Sequence, residues 1–200
     1  MKIIHLLSGG LDSTINLGLF SRYKDFDIEC LSFDYGQRHL KELDAAKKIA
    51  QSYNLRHKII EAKHFEGCAL VGDKDLENGI NDTPVVPNRN MVFLSIAAAY
   101  AVQRNSKFVS WSVVKDDADV FKDCRSEFLK NINNTLRHTT GVTILAPFIT
   151  KTKRQIVKEA KHHAIDFSLS WSCYQGGEQP CGKCGACILR DEAIKENFSI

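Results

Sequence analysis

Short runs of branched apolar residues alternate along this chain with segments whose apolar positions recur every three or four residues. Lys2 to Leu7, 27–34, 56–62, 107–114 and 142–148 read as strands. Between them, helices are expected over about 12–21, 38–53, 90–103, 121–136 and 153–164, with a last one over about 186–197. In 38–53, Leu43, Ala46, Ile49, Ala50 and Tyr53 form one stripe. From 121 to 136, Phe121, Cys124, Phe128, Ile132 and Leu136 do the same. Strands separated by helices cannot pair as hairpins, so the pattern predicts an α/β fold with a parallel sheet and helices on both faces. In such sheets ligands bind beyond the carboxyl ends of the strands, where the strand order reverses. A Gly-, Asn- and Asp-rich stretch from Gly67 to Pro87 is expected to be the mobile loop.

The formal charge of +3 argues against a nucleic-acid groove or a membrane patch and leaves room for a small anionic ligand. No signal peptide is visible, and the uncharged run 90–103 is too short to span a membrane. The expectation is a soluble cytoplasmic protein whose scattered Cys30, Cys68 and Cys124 form no disulfides.

The first strand ends in Leu7-Ser8-Gly9-Gly10-Leu11-Asp12-Ser13. Glycines let a backbone turn tightly and bring its N–H groups to an anion. Ser8 and Ser13 add hydroxyls, and the following helix points its positive end at the same place. This combination makes a phosphate cradle. Asp12 would repel phosphate. It suits a helix N-cap, or a group holding a phosphate-bridging Mg²⁺. The stretch matches neither common phosphate-loop pattern. A plain capped turn is the alternative reading of the glycines alone.

Cys173, Cys181, Cys184 and Cys187 form the second signal. Four thiolates at this spacing complete a tetrahedral Zn²⁺ shell of the closed, structural kind, with an iron–sulfur cluster or free thiols as alternatives.

The Ser-Gly-Gly-x-Asp-Ser stretch resembles the pyrophosphatase (PP) loop of enzymes that cleave ATP to AMP and pyrophosphate. "WSCYQGGEQPCGKCGACILRDEA" (171–193), "FDYGQRHLKEL" (33–43), "VPNRNMVFLSIAAAYA" (86–101) and "APFITKTKRQIV" (146–157) resemble, in order, motifs of the 7-cyano-7-deazaguanine synthase (QueC) family. The resemblance implies an adenine-nucleotide α-hydrolase-like (HUP) domain over 1–165 and a zinc-binding C-terminal element over 166–200. It implies adenylylation of the carboxylate of 7-carboxy-7-deazaguanine by ATP, then attack by ammonia to give the nitrile. It also implies a homodimer, with no nucleic-acid or membrane partner.

On this resemblance Leu7, Ser8, Gly9, Gly10, Leu11, Asp12, Ser13, Thr14, Ile15, Asn16 and Leu17 bind ATP, with Phe33, Gln37, Arg38 and His39 in the same cleft. Asp12, Lys153 and Arg89 carry the chemistry. Arg89, Asn90, Asp117, Asp123 and Arg125 meet the substrate, and the four cysteines hold zinc. Lys and Arg suit the charge that gathers at phosphorus and pyrophosphate. Taken alone, Arg89 could pair with a carboxylate, Lys153 could be a solvated lysine, and Phe33 and Tyr35 could be core.

The chain departs from the family at 112–125, "SVVKDDADVFKDCR". An aromatic-Ser-Gly-Tyr-Pro stretch there is replaced by Ala118, Asp119, Val120, Phe121 and Lys122. Asn88 replaces a glycine. Two other readings follow from this departure. One is a paralogue of antiviral (CBASS-type) operons that passes the activated deazaguanine to a protein amine. The other is a nucleotide-binding regulator without turnover.

Overall fold

The computed structural model describes residues 1–37, 40–62, 86 and 88–198. Arg38, His39, Cys68 and nearly all of the 67–87 loop lie outside the described residues. Five strands, β1 (Lys2–Leu6), β2 (Asp27–Asp34), β3 (Arg56–Glu61), β4 (Phe108–Ser110) and β5 (Thr143–Leu145), form one parallel sheet in the order β3-β2-β1-β4-β5. Six helices accompany them: α1 (Leu11–Phe20), α2 (Lys41–Ser52), α3 (Arg89–Gln103), α4 (Ser126–Thr139), α5 (Lys153–His162) and α6 (Gly185–Phe198).

The inner strands β1 and β2 are largely apolar on both faces because helices cover both, whereas edge strand β3 (Arg56–Glu61) is partly exposed and polar. In β2, Leu31 and Phe33 face the α3–α4 layer with Leu94, Ala97, Ala98, Ile132 and Leu136. Their neighbours Ile28 and Cys30 face α1 and α2 with Leu17, Ala46, Ile49 and Ala50. This is the two-residue alternation of a strand applied to two cores. A third cluster joins Leu11 and Ile15 of α1 to Phe148, Ile156, Val157 and Ala160, and takes in Ala193 of α6. The C-terminal element is therefore built onto α5. The Arg154–Glu196 ion pair and Asn197 Nδ2 donating to the Arg154 carbonyl add polar contacts there.

Two expectations need correcting. Residues 121–125 are not α-helical. The chain from Lys115 to Cys124 makes two short 3-10 turns, and α4 starts only at Ser126. Asp117 accepts from Val114 N–H at the start of the first turn, and Asp116 accepts from Lys153 N–H, tying the turn to the start of α5. The strands near 107–114 and 142–148 pair over only three residues each. Beyond Ser110 the chain leaves the ladder to border a cleft.

Candidate active site

The sheet order reverses beside β1, whose neighbours are β2 and β4. A cleft of about 310 Å³ opens there. Its walls include Leu6, Leu7, Trp111, Ser112 and Val113 at the strand ends.

One end of the cleft is the glycine turn. Gly9 has φ +88, and a Cβ on it would lie 2.0 Å from the Glu42 carbonyl oxygen and 2.9 Å from Ala46 N. Only glycine lets the loop press so closely on α2. Ser8 Oγ accepts from Gly10 N–H at 3.1 Å and lies 3.0 Å from Ser13 Oγ. The N-cap of α1 is Gly10, with no side-chain cap, so Asp12 is not the cap that its position allowed. The helix therefore keeps uncapped first-turn N–H groups beside the cleft.

Asp12 instead meets Lys153, the first residue of α5, whose Nζ donates at 2.8 and 3.1 Å to its two carboxylate oxygens. Burial works against the charge on Lys153, but Asp12 outweighs it and the pKa is raised. The Thr152–Gln155 capping box fixes the start of α5 and so the origin of this lysine. Asp117 stands behind the pair. Burial, and then the nearby charge of Asp12, push its carboxyl up to about 6.

The other end is aromatic. Phe33 and Phe93 stack at 4.2 Å with planes 8° apart, and Tyr35 leans on Phe93 at 5.5 Å. Arg89 opens α3, lies 5.4 Å from the centre of the Tyr35 ring, and donates to its hydroxyl at 3.4 Å. Gln37 lines the cleft too, but its amide is occupied in clamping the turn. Its Oε1 accepts from Tyr35 N–H, and its Nε2 donates to the Phe33 carbonyl.

Of the residues expected to act, Leu7, Ser8, Gly10, Leu11, Asp12, Ser13, Phe33, Gln37, Arg89, Asn90, Asp117 and Lys153 share this cleft. Thr14, Ile15, Asn16 and Leu17 do not line it. Ile15 and Leu17 are core, Thr14 donates to the Gly10 carbonyl, and Asn16 donates to Ser110 and Ser112. Asp123 and Arg125 do not line it either, but brace its wall. Asp123 accepts from Asn90 N–H, and exposed Arg125 donates to the Ala118 carbonyl. Asn88 has φ +55, which explains how it stands where the family has glycine: asparagine tolerates that left-handed conformation best among the other residues.

Sequence reasoning missed Glu42, Cys124, Trp171, Ser172 and Tyr174 as cleft residues. Trp171 to Tyr174 belonged to the cysteine signature, and only the fold brings them over. Trp171 N–H donates to the Gly9 carbonyl at 2.8 Å, joining the cysteine segment to the glycine turn.

The four sulfurs of Cys173, Cys181, Cys184 and Cys187 lie within 4.8 Å of one another. A tetrahedron of thiolates around one Zn²⁺ has edges of about 3.8 Å, given a metal–sulfur bond of about 2.3 Å. A four-iron cube would hold its thiolates farther apart, so the spacing fits a single ion. Gln175 and Cys181 N–H point at Cys173 Sγ, and Lys183 and Cys184 N–H at Cys181 Sγ, at 3.3–3.4 Å. These donors favour thiolates.

The family profile described as "Queuosine biosynthesis protein QueC" matches residues 2–198. A 7-cyano-7-deazaguanine synthase of Alteromonas mediterranea is 38% identical, over 98% of this chain and 94% of that protein. One from Archaeoglobus fulgidus is 35% identical, over 98% and 87%. Among solved structures, the U34-tRNA thiolase NcsA of Methanococcus maripaludis, with its [4Fe-4S] cluster, superposes with a TM-score of 0.58 at 17% identity. It covers 99% of this chain and 66% of that one. An NH3-dependent NAD synthetase of Campylobacter jejuni superposes with a TM-score of 0.50 at 18% identity, over 99% and 83%. At such identities these two structures speak for the fold alone.

Proposed function

The chain belongs to the QueC family of queuosine biosynthesis proteins, and from that premise we propose how its cleft turns 7-carboxy-7-deazaguanine into 7-cyano-7-deazaguanine with ATP. The activity is that of an ATP-dependent ligase. The observation that carries the assignment of parts is the Lys153–Asp12 pair at the glycine turn, with Asp117 and Arg89 in the same cleft.

The triphosphate lies on the turn, held by the N–H groups of Leu11 to Ser13 and the hydroxyls of Ser8 and Ser13. Lys153 meets the developing charge on the phosphates. Asp12 and Asp117 fit a Mg²⁺, since two carboxylates repelling one another beside a single lysine gain from a divalent cation. When bound, that ion neutralises phosphate charge. The substrate carboxylate attacks the α-phosphorus and pyrophosphate leaves. Ammonia then displaces AMP to give the amide. The amide oxygen attacks a second ATP, and loss of AMP with the remaining N–H protons leaves the nitrile. Arg89 is placed to hold the anionic groups of either reactant.

Zn²⁺ fits the four cysteines as a structural ion, closing a shell that holds Trp171 to Tyr174 against the cleft. A cytoplasmic homodimer accords with the resemblance. The six cysteines among the described residues form no disulfide. Among those residues no helix is long and apolar enough to cross a membrane.

Incubation with ATP, Mg²⁺, ammonium and 7-carboxy-7-deazaguanine tests the reading. The nitrile and AMP, seen by mass spectrometry, are expected. AMP without nitrile would point to another amine acceptor, and no AMP would leave only nucleotide binding.

A further inference from the structure

We propose that Glu42 is the residue that reads the donor edge of the deazaguanine, accepting hydrogen bonds from its N1–H and 2-amino group. The inference rests on the reading above and adds the specificity determinant that it lacks.

Glu42 sits in the first turn of α2 and lines the cleft beside Tyr35, Gln37, Arg89 and Tyr174. The influences on its carboxyl are burial and the charge of Arg89; no hydrogen-bond donor among the described residues meets it. Glu42 is half-buried on the cleft wall, and a carboxylate so placed, with no donor on it, is an acceptor that a ligand's N–H groups can fill. The close packing of Gly9 on the Glu42 carbonyl fixes the start of α2 against the nucleotide turn, so this carboxyl has a defined place. Phe33, Tyr35 and Phe93 line the same cleft and give it an aromatic, apolar wall suited to a flat heterocycle.

The two heterocycles present different edges. Adenine shows one donor, its 6-amino group, next to an acceptor, N1. A carboxylate can only accept, so it meets that edge poorly. The guanine-like edge shows N1–H and the 2-amino group side by side. Two carboxylate oxygens match both donors, and charged hydrogen bonds of this kind are the stronger ones. Glu42 therefore distinguishes the substrate base from the nucleotide base that shares the cleft.

The test measures binding without turnover. 7-Carboxy-7-deazaguanine and its analogue lacking the 2-amino group are titrated calorimetrically into protein holding α,β-methylene-ATP and Mg²⁺. Wild-type protein should prefer the natural base by about 10- to 100-fold, the worth of a charged hydrogen bond. In Glu42→Gln the preference should fall below about threefold, with α,β-methylene-ATP affinity unchanged within the same factor. Glu42→Asp should retain part of the preference. Circular dichroism and metal content confirm that the variants fold. An undiminished preference in both variants overturns the inference, as does weaker ATP-analogue binding with the preference intact. Wild-type protein that binds neither ligand overturns the functional reading itself, and this inference with it.

Discussion

Replacing Gly9 by alanine should separate a phosphate-binding turn from an ordinary strand–helix connection. At φ +88 an L side chain is strained, by about 1–2 kcal/mol. The new Cβ would sit 2.0 Å from the Glu42 carbonyl oxygen and 2.9 Å from Ala46 N, both backbone atoms of α2 that no rotamer change can move. Overpacking of that kind costs about 1–3 kcal/mol more. A total of about 2–5 kcal/mol lowers the melting temperature of a chain this long by about 4–20 °C. The loop can escape the strain only by lifting off α2, which moves the N–H groups away from the triphosphate. Gly10→Ala is the control. Gly10 has φ −76, and its Cβ would meet the Ser8 hydroxyl at 3.2 Å and the Trp171 carbonyl oxygen at an ordinary 3.8 Å. It should stay within about 1 kcal/mol of wild type, inside the usual range for a mild substitution. Thermal unfolding followed by circular dichroism, together with calorimetric ATP titration, reads both effects. If Gly9→Ala melts with the wild type and binds ATP as tightly, the turn does not press on α2 as described.

Lys153→Met leaves Asp12 and Asp117 facing one another without a cation and should lower kcat about 10²- to 10³-fold, measured by AMP release. Stripping metal from the four cysteines should weaken ATP binding as well as stability, because Trp171 N–H ties that segment to Gly9. Titration after chelation checks this, and unchanged ATP affinity in a metal-free, folded protein would contradict it. Burial pushes Glu42 up to about 7, with Arg89 of α3 opposing, and Tyr35 and Tyr174 beside it. A folded-state pKa above the unfolded value means that its contribution to stability is present at low pH and lost as pH rises through about 7. Glu42→Gln should therefore raise the melting temperature relative to wild type at pH 8 and not at pH 5. Taking the difference cancels the opposite trend from buried His5, whose pKa burial lowers to about 4.

The sheet and both signature motifs are legible because each is a local pattern: apolar runs of strand length, glycines at a strand end, and cysteines two residues apart. The cleft's other half is not, because it is assembled from distant residues. Glu42 reads as one more solvated charge on amphipathic α2. It becomes a cleft residue only when the turn after β2 sets α2 against Gly9. Tyr174 looks like spacing between metal ligands until the Cys173 segment folds back over Lys153 and Arg89. The apolar stripe predicts a helix from Phe121, yet Lys122 to Cys124 form a separate 3-10 turn and α4 begins only at Ser126. Asn88, which replaces a glycine of the resembled motif, sits at φ +55, where asparagine keeps the glycine-like backbone.

Labelling both carboxylate oxygens of 7-carboxy-7-deazaguanine with ¹⁸O follows the proposed bond-making directly. If the carboxylate and then the amide oxygen attack the α-phosphorus, every label lost from the product must appear in AMP, and none in pyrophosphate. Label found in pyrophosphate or released to water, with nitrile still formed, would contradict the account.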